Sequence, residues 1–275
     1  MLAHTRLRVL PLASTLERGA QAMLALHLGA ALSQLGQRVV LLDASRGDLA
    51  QVMGLRPRHE LLHLLQGERD FDEVVLEGPD GLRLVPAARG VEAMTKDDAG
   101  GWSELFGAFA GLRDPAALVL VNCPSGEART ACRIAGGAHE VVLALETGAQ
   151  AVTGAYALMK AALRSDGQRR YRLLFNEVPE GVDPAPLHAR MEEAARRFLG
   201  GELNLGGALP REPALAPARP QAPLRNTLLA SHPAHPAAAA YLSLAGASLD
   251  WNLPEIPRPA SSAGSSATAA HAHIA

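Results

Sequence analysis

The sequence is short of cysteine, of lysine and of long apolar runs. Cysteine occurs only at Cys123 and Cys132. Two thiols cannot make a disulfide framework, and the lack of CxxC or Cys/His spacing removes a zinc cluster. Lysine occurs only at Lys96 and Lys160, so nearly every cation is arginine; with so much alanine, this bias reads as a GC-rich genome. No apolar run reaches the ~18–20 residues a membrane span needs, and no signal-peptide pattern is present, so a soluble cytoplasmic protein is expected. The formal charge of -2 gives no global pull toward nucleic acid or an acidic surface.

What is present is an apolar strand, a turn, a long helix and a second apolar strand. Residues 7–13 form the first strand. Residues 20–35 carry apolar side chains at helical spacing and stop at Gly36, where a C-terminal glycine is expected. The run Val39-Val40-Leu41-Leu42 closes on Asp43 and suits a strand buried on both faces. Together these make one βαβ unit. In most chains of this layout the turn after the first strand is glycine-rich and holds a phosphate. Here it reads Ser14-Thr15-Leu16-Glu17-Arg18-Gly19-Ala20-Gln21-Ala22.

Further along, a loop and short helix lead to Pro57, and residues 59–65 read as another short helix. Residues 71–76 and 82–85 flank the turn Gly78-Pro79-Asp80-Gly81 as a strand-turn-strand signal. Residues 90–101 read as polar loop around a short helix, and 102–112 as an amphipathic helix. Strands are predicted at 117–121, 140–145, 171–175 and 203–209, with helices at 128–134, 149–163, 184–199 and 237–249. The alternation predicts a doubly wound, mostly parallel α/β sheet with helices on both faces. Residues 1–249 form that domain. Residues 250–275, dominated by Pro, Ser, Ala and Gly from Pro254 on, read as a disordered tail.

In such a sheet the binding site lies beyond the carboxyl ends of the strands. Four places therefore matter: the turn 14–22, Asp43, residues 122–126, and Asn176. The stretch Gln34-Leu35-Gly36-Gln37-Arg38-Val39-Val40-Leu41-Leu42-Asp43-Ala44 resembles the helix-to-second-strand signature of the MinD/ParA family of deviant P-loop ATPases. Met53-Gly54-Leu55-Arg56-Pro57-Arg58, Val75-Leu76-Glu77-Gly78-Pro79-Asp80-Gly81-Leu82-Arg83, Gly90-Val91-Glu92-Ala93-Met94 and Ala155-Tyr156-Ala157-Leu158-Met159-Lys160-Ala161 are similar to words of its flagellar-number branch, the FleN/FlhG branch. The resemblance spans about residues 7–245 and implies the same P-loop fold.

The resemblance also implies what has changed. The family loop has the form GKGGVGKT, whose glycine-lysine opening falls on Thr15 and Leu16 and whose glycine pair falls on Glu17 and Arg18. Its second lysine falls on Gln21 and its magnesium-ligating hydroxyl on Ala22. Glycines let backbone N–H groups approach phosphates, lysine neutralises charge and the hydroxyl holds Mg²⁺. An acid of the family at the third strand is here Asn122, a poor partner for a hard cation. Asp43 matches the aspartate that orients attacking water; alone it cannot catalyse. Asn176 and Pro210-Arg211 match positions around adenine. The remnant nucleotide site is thus Gly19, Gln21, Asn122, Asn176 and Pro210, with no metal ligand, and ATP with magnesium is implied by kinship alone. The expected protein acts through a protein partner, either the flagellar placement GTPase or a flagellar transcription regulator, and can form a homodimer. The alternatives are an active ATPase using Arg18 in place of lysine, or a secretion or partition role.

The partner-stimulating DQAxxLR segment common in this branch is not found at residues 1–6. No Lys or Arg lies between Arg225 and Arg258, so helix 237–249 lacks the basic residues of a membrane switch. The remaining features have plain readings. Arg169, Arg170 and Arg172 read as a solvated face before a strand rather than a nucleic-acid patch. His59, His63, His232 and His235 stand at no ligand spacing. Cys123 reads as a small buried hydrophobe.

Overall fold

A computed structural model of the chain describes residues 6–96, 109, 118–212 and 224–257. Strand β1 (Arg6–Ser14) passes through the turn 15–17 into helix α1 (Arg18–Gln34), and β2 (Val39–Asp43) completes the first crossover. Short helices α2 (Asp48–Val52), α3 (Leu61–Leu65) and α4 (Phe71–Val74) lead to the antiparallel pair β3 (Leu76–Glu77) and β4 (Arg83–Pro86), followed by α5 (Ala88–Lys96). The rest alternates: β5 (Leu118–Asn122), α6 (Arg129–Ala135), β6 (Val141–Leu145), α7 (Ala149–Asp166), β7 (Arg170–Val178), α8 (Ala185–Leu199) and β8 (Glu202–Pro210). Helices α9 (Leu228–Ser231) and α10 (Pro236–Ser248) and strand β9 (Glu255–Pro257) finish the described chain.

The strands form one sheet in the order β3-β4-β2-β5-β1-β6-β7-β8, with β9 paired to β1. All neighbours from β4 to β8 run parallel. Side chains alternate along each strand between two cores. Leu7 and Val9 of β1, Val119 and Val121 of β5, and Leu143 of β6 face α5 to α8. Leu10 and Leu12, Leu118 and Leu120, and Val142 face α1, α2, α9 and α10. Burial on both faces explains why these strands read as unbroken apolar runs.

Helix α1 is buried along nearly its whole length, because α10 covers the side turned away from the sheet. It also approaches β2 closely: a Cβ added at Gly29 would lie 2.7 Å from Leu41 Cδ2. Leu41 is fully buried and has little room to move. Gly29→Ala is therefore expected to cost about 1 kcal/mol through overpacking, against the helix-propensity gain alanine normally brings. Chemical denaturation would show it, and an unchanged or higher midpoint would contradict the close approach.

Three expectations change. Residues 71–76 do not form one strand: Asp70 and Glu73 make reciprocal caps that start helix α4, leaving only Leu76–Glu77 to pair. The tail does not begin at residue 250. Trp251 and Leu253 are buried, and β9 pairs antiparallel with Arg6–Arg8, the part of β1 that β6 does not reach. Arg8 Nη2 donates to the Trp251 carbonyl at 2.8 Å, and the Arg172 guanidinium sits 5.3 Å from the Trp251 ring centroid. The helix expected over 102–112 lies outside the described residues except Phe109, which is buried edge-on to Phe71. Residues from 258 onward are likewise outside the described set.

Candidate functional site

The carboxyl ends of β1, β2 and β5 meet beneath the first turn of α1. The turn between β1 and α1 has only three residues, Thr15, Leu16 and Glu17. Leu16 points inward and is buried in the core under α1. Its amide donates to Ser14 Oγ at 3.2 Å, and its carbonyl accepts from the Ser125 hydroxyl. Gly19, expected in a phosphate-binding loop, instead lies in the first helical turn, without the positive φ a cradle glycine uses.

Where a phosphate and its metal would be coordinated, the chain bonds to itself. The Ser14 hydroxyl donates to Gln21 Oε1. Gln21 Nε2 donates to Asn122 Oδ1 at 2.8 Å and to the Cys123 carbonyl at 2.5 Å. Asn122 Nδ2 donates in turn to Asp43 Oδ1 at 3.1 Å. Asp43 also accepts from the Ser45 hydroxyl and amide and from the Leu49 amide. Ser14, Gln21, Asn122 and Asp43 are each 2 % exposed or less. Each amide nitrogen and oxygen in this series has a partner, so one orientation of both side chains satisfies the set.

Burial raises the Asp43 carboxyl above its ordinary value, and the donors from Ser45, Asn122 and Leu49 pull it part of the way back. Arg18 does not reach toward the turn. It clamps Asp48 through two bonds, Nε to Oδ2 at 3.0 Å and Nη2 to Oδ1 at 2.5 Å, tying α1 to α2. The guanidinium is thus directed at α2 and away from the turn.

The residues present do not fit a triphosphate with magnesium. The turn is too short and its middle residue is packed into the core. Ala22 offers no oxygen, and Gln21 and Asn122 are committed to each other. Thr15, Glu17 and Glu146 line a cleft of about 530 Å³ beside the turn, which puts carboxylates where phosphate oxygens would be repelled. Asn176 and Pro210 stand at the ends of β7 and β8, with β6 between them and β1, and no hydrogen bond among the described residues joins them to the amide series. Next to Asn176, Glu177 adopts a left-handed φ of 51° where the β7–β8 register shifts.

The other singled-out groups are structural. Arg172 grips the buried Glu140 through two bonds of 2.8 Å, Arg170 pairs with Glu202, and Arg169 donates to the Leu199 carbonyl. His63 and His235 accept from backbone amides at the starts of α3 and α10. Cys123 is buried, which raises its thiol far above the reactive range. No group of metal-binding side chains occurs among the described residues, and no helix among them is long and apolar enough to cross a membrane. The sequence exposed the departures from the family loop at Gln21 and Asn122 but not that these two side chains bond to each other. The available signal was that both are neutral amides, able to donate and accept at once.

No protein-family model matches the chain. The antiactivator FleN of Pseudomonas aeruginosa is 31% identical over 235 residues, covering 84% of this chain and 82% of its own length. The chromosome-partitioning ATPase Soj of Thermus thermophilus is 32% identical over 230 residues, 80% and 87% of the two chains. The flagellum site-determining protein YlxH of Helicobacter pylori is 24% identical over 186 residues, 66% and 63% of the two chains. Among solved structures, the MinD cell division protein of Aquifex aeolicus superposes with a TM-score of 0.63 at 19% identity, over 90% of this chain and 98% of its own. With the parallel sheet, the βαβ frame and the strand-end geometry in place, the chain belongs to the MinD/ParA family, in its FleN/FlhG branch.

Proposed function

We propose that this protein regulates flagellar number, placement or biosynthesis by occupying a partner's surface, without a cycle of ATP hydrolysis. One observation carries the second half of the reading: the phosphate position is filled by the bonded series Ser14–Gln21–Asn122–Asp43. A family member that switches with nucleotide must open this region to a ligand. Here opening it would strand several buried polar groups. The flagellar half is supported by kinship to an antiactivator and to a flagellum site-determining protein. An antiactivator's kin fits best with a protein partner that is itself an activator, a flagellar transcription regulator. The flagellar placement GTPase is the second choice.

Isothermal titration with ATP and Mg²⁺ tests the mechanism. No saturable heat is expected at micromolar ligand, and an affinity of micromolar or tighter would overturn it. Deletion of the gene should change the number or position of flagella seen by electron microscopy. A deletion that left flagella unchanged but mis-segregated DNA would instead favour a partition role, the reading that kinship to Soj supports.

A further inference from the structure

A cleft of about 390 Å³ opens between the loops that follow β2 and β5 and the first half of α5. Ala44, Ala88, Val91 and Pro124 give it an apolar wall, and four charged side chains complete it: Arg46, Arg129, Glu92 and Glu127. Arg46 and Arg129 are exposed and have no hydrogen bond or ion pair among the described residues. Glu92 has interactions of its own. Glu127 is different. It is half-buried, its Oε1 is shut off from water, and neither of its oxygens meets a donor among the described residues. The neighbouring Cys123 thiol does not serve. Burial raises that thiol, the Glu127 carboxylate raises it further, and its Sγ donates to the Val121 carbonyl at 3.8 Å instead. A carboxylate oxygen kept from water without a donor costs stability, and a donor brought in through the cleft recovers it.

The signs present limit what can sit there. Two cations and two anions line the cleft, so a polyanion meets the glutamates and a polycation meets the guanidiniums. A neutral molecule with one charge of each sign on a single carbon answers both. An ammonium donates to a carboxylate, and a guanidinium grips a carboxylate through two parallel bonds. The apolar wall then takes an aliphatic group. We propose that this cleft binds a small zwitterion of the α-amino-acid class, as the free amino acid or a dipeptide. Its ammonium pairs with Glu127, its carboxylate with Arg129 and Arg46, and its side chain rests on Val91 and Pro124. The volume suits such a ligand, since small-molecule sites begin near about 300 Å³. The assignment is separate from the flagellar reading and does not depend on ATP.

Isothermal titration on the full chain tests it with four probes: L-leucine, the dipeptide leucyl-alanine, leucinamide, which keeps only the cation, and N-acetyl-leucine, which keeps only the anion. Leucine or the dipeptide is expected to bind with a dissociation constant of about 1 mM or tighter, the range that two charge-assisted contacts give a ligand of this size. Leucinamide and N-acetyl-leucine should each bind at least about tenfold more weakly, because each leaves one sign of the cleft unanswered. Glu127→Gln should weaken the bound zwitterion at least about tenfold by removing the charge that faces its ammonium, and Arg129→Gln should do so by removing a guanidinium from its carboxylate. Circular dichroism confirms that both variants are folded, and the analogue series reads the same contacts if either does not fold. Saturable binding of the dipeptide alone supports the peptide form. No saturable heat from leucine or the dipeptide up to about 10 mM overturns the proposal. N-acetyl-leucine that binds as tightly as leucine, or binding that Glu127→Gln leaves unchanged, overturns it as well.

Discussion

Replacing Gln21 with alanine is expected to cost about 4 kcal/mol of stability. Three bonds vanish at once. The Ser14 hydroxyl, the Asn122 carboxamide oxygen and the Cys123 carbonyl all lose their partner in a region closed to water. A buried polar group left unmade costs about 1–3 kcal/mol, and the missing side chain leaves a cavity beneath α1 as well. For a domain of this size the melting temperature should fall by roughly 8–16 °C. In a relative that binds phosphate at this position, the same truncation would chiefly weaken ligand affinity. A melting temperature unchanged by Gln21→Ala would mean that the amide series does not hold the turn.

Asn122→Asp is expected to cost about 3 kcal/mol at pH 7.5 and to recover most of that loss on acidification. The variant removes the donor to Asp43 and sets a second carboxylate against Asp43 Oδ1, which now lies 3.1 Å from Asn122 Nδ2. Two carboxylates this close cannot both ionise, so the pair keeps a proton in the folded state. Burial has already raised Asp43 above its ordinary value, and the new neighbour raises it further. A folded pKa above the unfolded one means that the native state binds more protons than the unfolded state across the interval between them. Stability then falls as pH climbs from the ordinary carboxylate range near about 4 through the raised value. The gap between variant and parent should therefore be small at pH 4 to 5 and widen toward neutrality in paired urea denaturations. A gap that stayed constant from pH 4.5 to 7.5 would show that Asp43 does not sense position 122.

Much of the frame was legible because fully buried parallel strands leave no room for polar interruption. Val39 to Leu42 and Leu118 to Val121 are unbroken apolar runs for that reason, and their neighbours in the sheet follow. Two elements escaped for different causes. In Phe71-Asp72-Glu73-Val74 the aromatic and branched residues favour a strand, but Asp70 and Glu73 cap a helix, and four residues are too few for periodicity to decide. Strand β9, with proline on either side of Glu255-Ile256, has no local signal at all. What holds the segment in place is the opposite end of the chain: Arg8 reaches Ser248 and Trp251 across more than 200 residues.

The site divides in the same way. The departures from the family's loop pattern could be read one position at a time. That Gln21 and Asn122 answer each other could not, because they stand 101 positions apart and meet only when β5 lies beside β1. The shortened turn was also hidden. Nothing local to Leu16 tells an inward-packed residue from one in an open loop until the core under α1 is seen to need it.

The pairing of the two amides bears on how sequence change at these two positions can proceed. Lysine alone at position 21 would take away the acceptor of the Ser14 hydroxyl, since an ammonium only donates, and aspartate alone at 122 would bury a second carboxylate beside Asp43. Each single step disturbs the buried group, and only the double exchange leaves its net charge as it is. The two positions are energetically coupled: a change at either one strands what the other holds, so neither is free to vary alone.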